Sequence, residues 1–140
     1  MTNITIGKIE INQDELQFMK SKYDLDEGIS ELVYLFNKIG FKTIYSCEGH
    51  SEIQKPYIMF KTNEVKIHYI LEMLYEKNTT YNQYLDIGEF KKMCNPIRGY
   101  EANGNVIFQI NNNWLWEGRY WLKEDCQKKI DRFCNYIKAL

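Results

Sequence analysis

Between Asp24 and Phe41 the chain reads DLDEGISELVYLFNKIGF. Ile29, Leu32, Val33, Phe36 and Ile39 stand there at the i, i+3, i+4 and i+7 spacing that gathers apolar side chains on one helical face. Asp24 or Asp26 is placed to cap the start of this helix, and Gly40 to supply the left-handed residue after its end. Two short runs follow, KTIYSC and PYIMFK, whose β-branched and aromatic content predicts strands on either side of the polar connection EGHSEIQK. The helical period returns from about Asn63 to Lys77, where Ile67, Ile70, Leu71 and Leu74 share a face and Thr62 or Asn63 can cap. From about Arg119 to Lys138 it returns again, with Leu122, Cys126, Ile130, Phe133, Cys134 and Ile137 in line.

Near the amino terminus, NITIGKIEI alternates Ile4 and Ile6 and then Ile9 and Ile11 around Gly7, which predicts a strand over 3–11 with a bulge, followed by a polar connection. TTYNQYLDIGEF gives a weaker strand signal. The dipeptide Asn103-Gly104, between PIRGYEA and NVIFQI, predicts a tight hairpin, because both central residues of a type I′ turn need positive φ. The resulting order, β-α-β-β-α-β plus a C-terminal hairpin and helix, is split βαβ-like. It predicts an α+β fold, a two-layer α/β sandwich with a mostly antiparallel sheet. With 140 residues and 44% apolar content, a single domain over 1–140 is expected.

Composition narrows the partners. A formal net charge of -1 leaves no clustered cationic excess for gripping a long nucleic acid. No run approaches the ~20 apolar residues of a membrane span, and MTNITIGKIE lacks the basic-then-apolar order of a leader, so a cytoplasmic protein is expected. Cys47, Cys94, Cys126 and Cys134 form no C-x-x-C pair, so reduced thiols are expected. Much Lys, Ile, Asn and Tyr beside three Arg suits an AT-rich genome, that of a low-GC bacterium or one of its phages.

The chemistry-bearing stretch is TIYSCEGHSE, Thr43 to Glu52, which sets Cys47 and His50 around Gly49. These are the residue types of a nucleophile and its base, with Glu48 or Glu52 to orient the imidazole. Cys47 as a small buried apolar residue is the competing account. A zinc site needs three or four ligands, and Cys94 and His68 do not complete one, so no metal and no catalytic residue is assigned. Cys126 and Cys134 lie on an apolar stripe and read as core. A ligand loop uses the stretch more fully. A strand that ends in small and polar residues before a glycine offers backbone amides to an anion, Ser46 adds a hydroxyl and His50 a ring N–H. An ordinary polar turn is the alternative.

Trp114, Trp116, Tyr120 and Trp121 crowd together with Glu117 and Arg119, and Arg98 falls in the hairpin. Such rings stack bases and Arg pairs with phosphate, although core packing or a subunit interface would use the same residues.

The stretch DLDEGISELVYLFNKIGFKTIYSCEGH resembles the amino-terminal signature of the wybutosine-synthesising tRNA methyltransferase family. The matching positions are Asp26 and Glu27, Leu35-Phe36-Asn37, Thr43, Ser46, Cys47, Gly49 and His50, with Glu48 and His50 where that family carries Ser and Arg. It is also similar to small phage and low-GC bacterial proteins that carry T-x-x-S-C-x-G-H before a P-Y-I-x-F strand, here Pro56 to Phe60. The resemblance implies a cleft for an adenosine-like ligand.

The expectation is therefore a binding protein that sequesters a nucleotide-derived small molecule without a cofactor, in the manner of a phage sponge for bacterial immune signals. Thr43, Ser46, Cys47, Glu48, Gly49 and His50 would form the ligand loop, Tyr57, Trp114, Trp116 and Tyr120 the stacking faces, and Arg98 and Arg119 the anion contacts. A homo-oligomer with the ligand at a subunit interface would add affinity. The rival expectations are a methyltransferase-like or Cys/His-dependent enzyme, and a protein-interaction module built on the Trp-rich segment.

Overall fold

The computed structural model describes residues 9–49, 54–77, 88–93, 96–102, 105–110, 113–118 and 121–139. Among them stand helices α1 (Gln13–Lys22), α2 (Glu27–Lys38), α3 (Glu64–Lys77) and α4 (Lys123–Lys138). The strands are β1 (Lys42–Cys47), β2 (Tyr57–Lys61), β3 (Glu89–Lys92), β4 (Pro96–Ala102), β5 (Asn105–Ile110) and β6 (Asn113–Glu117). A four-stranded sheet runs β1-β2-β6-β3 with every neighbouring pair antiparallel, and β4 pairs antiparallel with β5. The fold is α+β.

Helix α2 is the axis of the core. Its stripe is broad: Ile29, Leu32, Val33, Tyr34, Leu35 and Phe36 are all buried. The Phe36 ring meets Phe41, Phe60, Phe90, Trp116 and Phe133 with centroid distances of 5.4–6.3 Å. One residue thus ties α2 to β2, β3, β6 and α4. Each such fully buried side chain contributes about 1.5–3 kcal/mol of apolar transfer free energy.

The end of α2 is a complete Schellman motif. Gly40 N donates to Asn37 O at 3.1 Å and Phe41 N to Phe36 O at 2.9 Å, with Gly40 at φ +95°. The accompanying apolar contact is Phe36 against Phe41, centroids 5.6 Å apart. This turn drops the chain into β1 at the sheet edge.

Strand register explains the tryptophans. Ile58 pairs with Trp116, which pairs with Phe90, and Phe60 pairs with Trp114, so this alternate set faces the helices. Between them Leu115 turns the other way, in register with Met59 and Lys91. Trp114 and Trp116, expected as stacking faces with core packing as the alternative, thus lie on a central strand and pack inward.

Other expectations meet the structure unevenly. β1, β2 and α3 fall where the sequence pattern put them, and Asn63 Oδ1 caps α3 by accepting from Lys66 N at 2.7 Å. Ala102 pairs with Asn105, the spacing a two-residue turn requires, while Asn103 and Gly104 themselves lie outside the described residues. Of the strand expected over 3–11, residues 1–8 lie outside the described set. Ile9 to Asn12 are not in a strand, and Ile9 N donates to Lys138 O at 3.3 Å. From the weak strand near 79–90, only the end is seen, as β3, and 78–87 are outside the described residues.

The polar connection after Ile11 is helix α1, capped by Asn12 Oδ1, which accepts from Glu15 N at 3.1 Å. It is lightly anchored: Leu16 is its one buried side chain among the described residues. Polar contacts add to this. Tyr34 Oη accepts from Asn12 N at 3.1 Å and donates to Glu15 at 2.9 Å, and Lys38 pairs with Glu15 at 2.9 Å.

Candidate functional site

Two regions of the chain compete for a functional role: the Cys47–Gly49 turn and the cleft beside it under α1. At the turn, the Glu48 carboxylate reaches back to the start of α2 and accepts from Gly28 N at 2.7 Å. In return, Glu48 N donates to Asp26 Oδ2 at 3.1 Å. Asp26 stands at the helix N-cap position and makes no side-chain cap to its own helix, so the capping is done across the fold by Glu48. A carboxylate at the positive end of the helix dipole is the favourable sign. Gln127 Nε2 donates to Gly28 O at 3.0 Å and to Asp131 Oδ1 at 2.9 Å, which binds α4 to the same corner.

These contacts revise the expected anion loop. The amide of Glu48 is taken by Asp26, and that of Gly49 donates to Cys47 Sγ at 3.4 Å. Both amides therefore serve the protein itself. Glu48 is a structural anchor, and the anion at this helix start is its own side chain. Gly49 sits at φ +81°, where an added Cβ would meet Gln54 O at 2.7 Å. His50 lies outside the described residues.

Trp114 and Trp116 offer no ring face to a ligand, because both are buried in the core behind the sheet. Tyr57 is half-buried in β2, in register with Cys47 and Glu117. Arg98 belongs to β4, where its backbone pairs with Phe108, and its side chain is outside the described set, as are Arg119 and Tyr120. Trp121 is half-buried against the core, beside Gly118.

Thr43 and Ser46 have a different setting. They line a cleft of about 650 Å³ between the edge strand β1 and helices α1 and α2. Thr43 is held by Asn37, whose Nδ2 donates to Thr43 Oγ1 at 2.9 Å and to Val33 O at 2.8 Å. Across from β1 stand Phe18, Met19, Tyr23, Asp24 and Leu25, and β1 itself adds Lys42, Ile44 and Tyr45. Phe18, Tyr23 and Tyr45 are 63%, 58% and 66% exposed, above every other described aromatic side chain, the next being Tyr69 at 37%. Register slips between Thr43 and Tyr45, which leaves Ile44 opposite no partner and partly exposed at the cleft.

Cys47 does not line this cleft. Burial pushes the Cys134 thiol well up, and burial followed by the charge of Glu48 pushes Cys126 up, so neither is an activated nucleophile. Among the described residues no group of three His, Cys, Asp or Glu side chains is placed to hold a metal ion, and no helix is long and apolar enough to cross a membrane.

The aromatic rim escaped the sequence pattern because α1 did. QDELQFMKSK has too few apolar residues for a helical stripe, yet its ends carried a signal: Asn12 before Asp14 and Glu15, and Lys20 and Lys22 in the last turn. No family model, curated protein or solved structure matches this chain.

Proposed function

We propose that the protein binds a nucleotide-derived small molecule in the cleft between α1, α2 and β1, and holds it without turning it over. The observation that carries this reading is the concentration of exposed rings, Phe18, Tyr23 and Tyr45, around a concavity furnished with the Thr43 and Ser46 hydroxyls and Lys42. Its volume of about 650 Å³ is within the roughly 300–1,000 Å³ of small-molecule sites. Aromatic faces stack a base, and hydroxyls and an ammonium suit ribose and phosphate. Stacking passes in this reading from Trp114 and Trp116 to the cleft aromatics. The resemblance of the 24–60 stretch to the wybutosine-synthesising family makes adenosine-bearing ligands the first to try. Cytosolic withdrawal of a signal nucleotide, such as a phage would direct against bacterial immunity, is the role such a site would serve.

A thermal-shift screen of nucleotides, cyclic nucleotides, ADP-ribose derivatives and S-adenosylmethionine tests this, because a ligand at a hundred times its Kd adds about 2.7 kcal/mol of apparent stability. A hit should come back chemically unchanged, should weaken on Tyr45→Ala, and should survive Cys47→Ala. A methylated or cleaved product would establish the enzyme instead. A flat response across the panel would favour a protein-interaction surface, a reading the exposure of Phe18, Tyr23 and Tyr45 also supports.

A further inference from the structure

A second cleft, of about 530 Å³, lies on the other side of Phe18, between α1 and α2, lined by Asp14, Glu15, Phe18, Met19, Tyr34, Asn37 and Lys38. Phe18, Met19 and Asn37 line both hollows, so the two adjoin and form one trough divided by the exposed Phe18 ring. Either volume alone is enough for one ring-bearing unit of a small ligand.

Charge is arranged along this trough in a definite order. Asn37, common to both hollows, is the penultimate residue of α2; Lys38 follows it and lines one hollow, and Lys42 opens β1 and lines the other. The carboxylates stand toward the ends of the opposite wall: Asp14 one turn before Phe18 on α1, and Asp24 just past the last turn of that helix. The two ammonium groups thus come from the α2–β1 wall and these two carboxylates from the α1 wall. Glu15, the remaining acid, is occupied by Lys38 at 2.9 Å and Tyr34 at 2.9 Å.

We propose, resting on the small-molecule reading above, that the trough takes a ligand of the dinucleotide class, two planar rings joined by a phosphodiester linker. One ring packs on each side of Phe18, and the linker lies over Asn37 with Lys42 as its cation, Lys38 being held by Glu15. Asp14 and Asp24 accept from ring amino groups at the two ends. A mononucleotide fills one hollow and leaves the other to water. Joining two units converts the second contact into an intramolecular one, which raises affinity without any new kind of contact.

Calorimetric titration of the full chain with the four nucleoside monophosphates and the sixteen linear dinucleoside monophosphates tests this. The expected result is at least one dinucleotide that binds tenfold or more tightly than either of its halves. That advantage should shrink to under threefold in Phe18→Ala and in Lys42→Gln, two exposed positions outside the Lys38–Glu15 pair that anchors α1, with circular dichroism checking that the fold is kept. If a mononucleotide binds as tightly as every dinucleotide containing it, the two-unit proposal is overturned and the small-molecule reading stands. If neither set binds, the two-unit proposal is overturned, and the small-molecule reading falls with it only when the thermal-shift panel is flat as well.

Discussion

Glu48 Oε2 lies 2.7 Å from the amide nitrogen of Gly28, and this one hydrogen bond joins the end of the edge strand to the start of the central helix across twenty residues of sequence. It also crowds position 28, where a side chain would have to push the capping carboxylate off the amide. A Cβ there would stand 2.3 Å from Glu48 Oε2 and 2.6 Å from Gln127 Oε1. Removing the cap with Glu48→Ala should cost about 1 kcal/mol, the usual worth of a helix N-cap, in urea denaturation. Gly28→Ala should destabilise the native chain, although alanine is the better helix former by up to about 1 kcal/mol. In the Glu48→Ala background the same change should cost less, with Gln127 Oε1 the one close atom left to swing aside. A double-mutant cycle reads that difference directly, and additive effects would show that the two residues are not coupled.

The buried tryptophan of β6 and the exposed tyrosine of β1 should respond in opposite ways. Trp116 is fully buried and packs on Phe36 and Phe133, so Trp116→Ala should lose about 3–5 kcal/mol of stability. Tyr45, at 66% exposure, should change stability by no more than about 0.5 kcal/mol on conversion to alanine, while weakening any ligand held in the cleft. A stable Trp116→Ala variant with impaired ligand binding would return the stacking role to the tryptophans.

Helix α1 should be anchored within a pH window. The hydrogen bond from Lys38, followed by that from Tyr34, lowers the Glu15 pKa below 4.5, and Glu15 raises that of Lys38 above 10.5. A depressed carboxylate contributes its stability above the unfolded value and loses it as pH falls through the folded one. A raised ammonium contributes below its unfolded value and loses it as pH rises through the folded one. The pair therefore holds from about pH 4.5 to pH 10.5 and loosens outside that range. Both groups are exposed, so the effect is small and screened by salt. Protection factors of the α1 amides, which remove the intrinsic pH dependence of exchange, should fall below about pH 4 in the native chain, and Glu15→Gln should remove that fall.

Cysteine labelling should separate the described thiols by burial. Cys134 lies in the core, 2% exposed, and its thiol is pushed far up by desolvation first and by Glu31 and Asp131 after it. Iodoacetamide at pH 8 should leave Cys134 unmodified in the folded protein and label it only in denaturant. Modification of native Cys134 at the rate of a free thiol would mean that α4 opens readily from the core.

What the sequence made legible follows from where a single physical signal dominates. Helix α2 could be read in full because its stripe from Ile29 to Ile39 and its stop at Gly40 agree, and the same residues then form the core and the Schellman turn. The hairpin strands followed from Asn103-Gly104, a short-range demand on φ. The aromatic run stayed open between a stacking face and core for a physical reason: Trp114-Leu115-Trp116 alternates as a strand does, but clustered rings look alike whether they face a ligand or a core. Glu48 was placed in a ligand loop because its partner, Gly28, is distant in sequence and carries no side chain to announce the contact. The cleft stayed hidden because α1 owes its position to Leu16 and to Tyr34, Glu15 and Lys38 contacts rather than to an apolar stripe.

Two glycines in left-handed backbone should differ in how they tolerate a side chain. Gly40 has φ +95°, and its added Cβ would meet Lys66 Nζ at 2.7 Å, the far end of a flexible side chain that can swing away. Gly40→Ala should thus cost only the backbone term, about 1–2 kcal/mol, and Gly40→Asn less, because asparagine tolerates this region better. Gly49, at φ +81°, would set its Cβ 2.7 Å from Gln54 O and 3.4 Å from Pro56 N, both main chain. Gly49→Ala should lose more than Gly40→Ala, and Gly49→Asn should give no rescue, since relief there requires the Gln54–Pro56 backbone to move. Because that backbone leads into β2, whose first residue pairs with Cys47, the displacement should reach the Glu48 cap as well. Gly49→Ala and Glu48→Ala should then be less than additive in chemical denaturation, and full additivity would show that the turn and the cap are held independently.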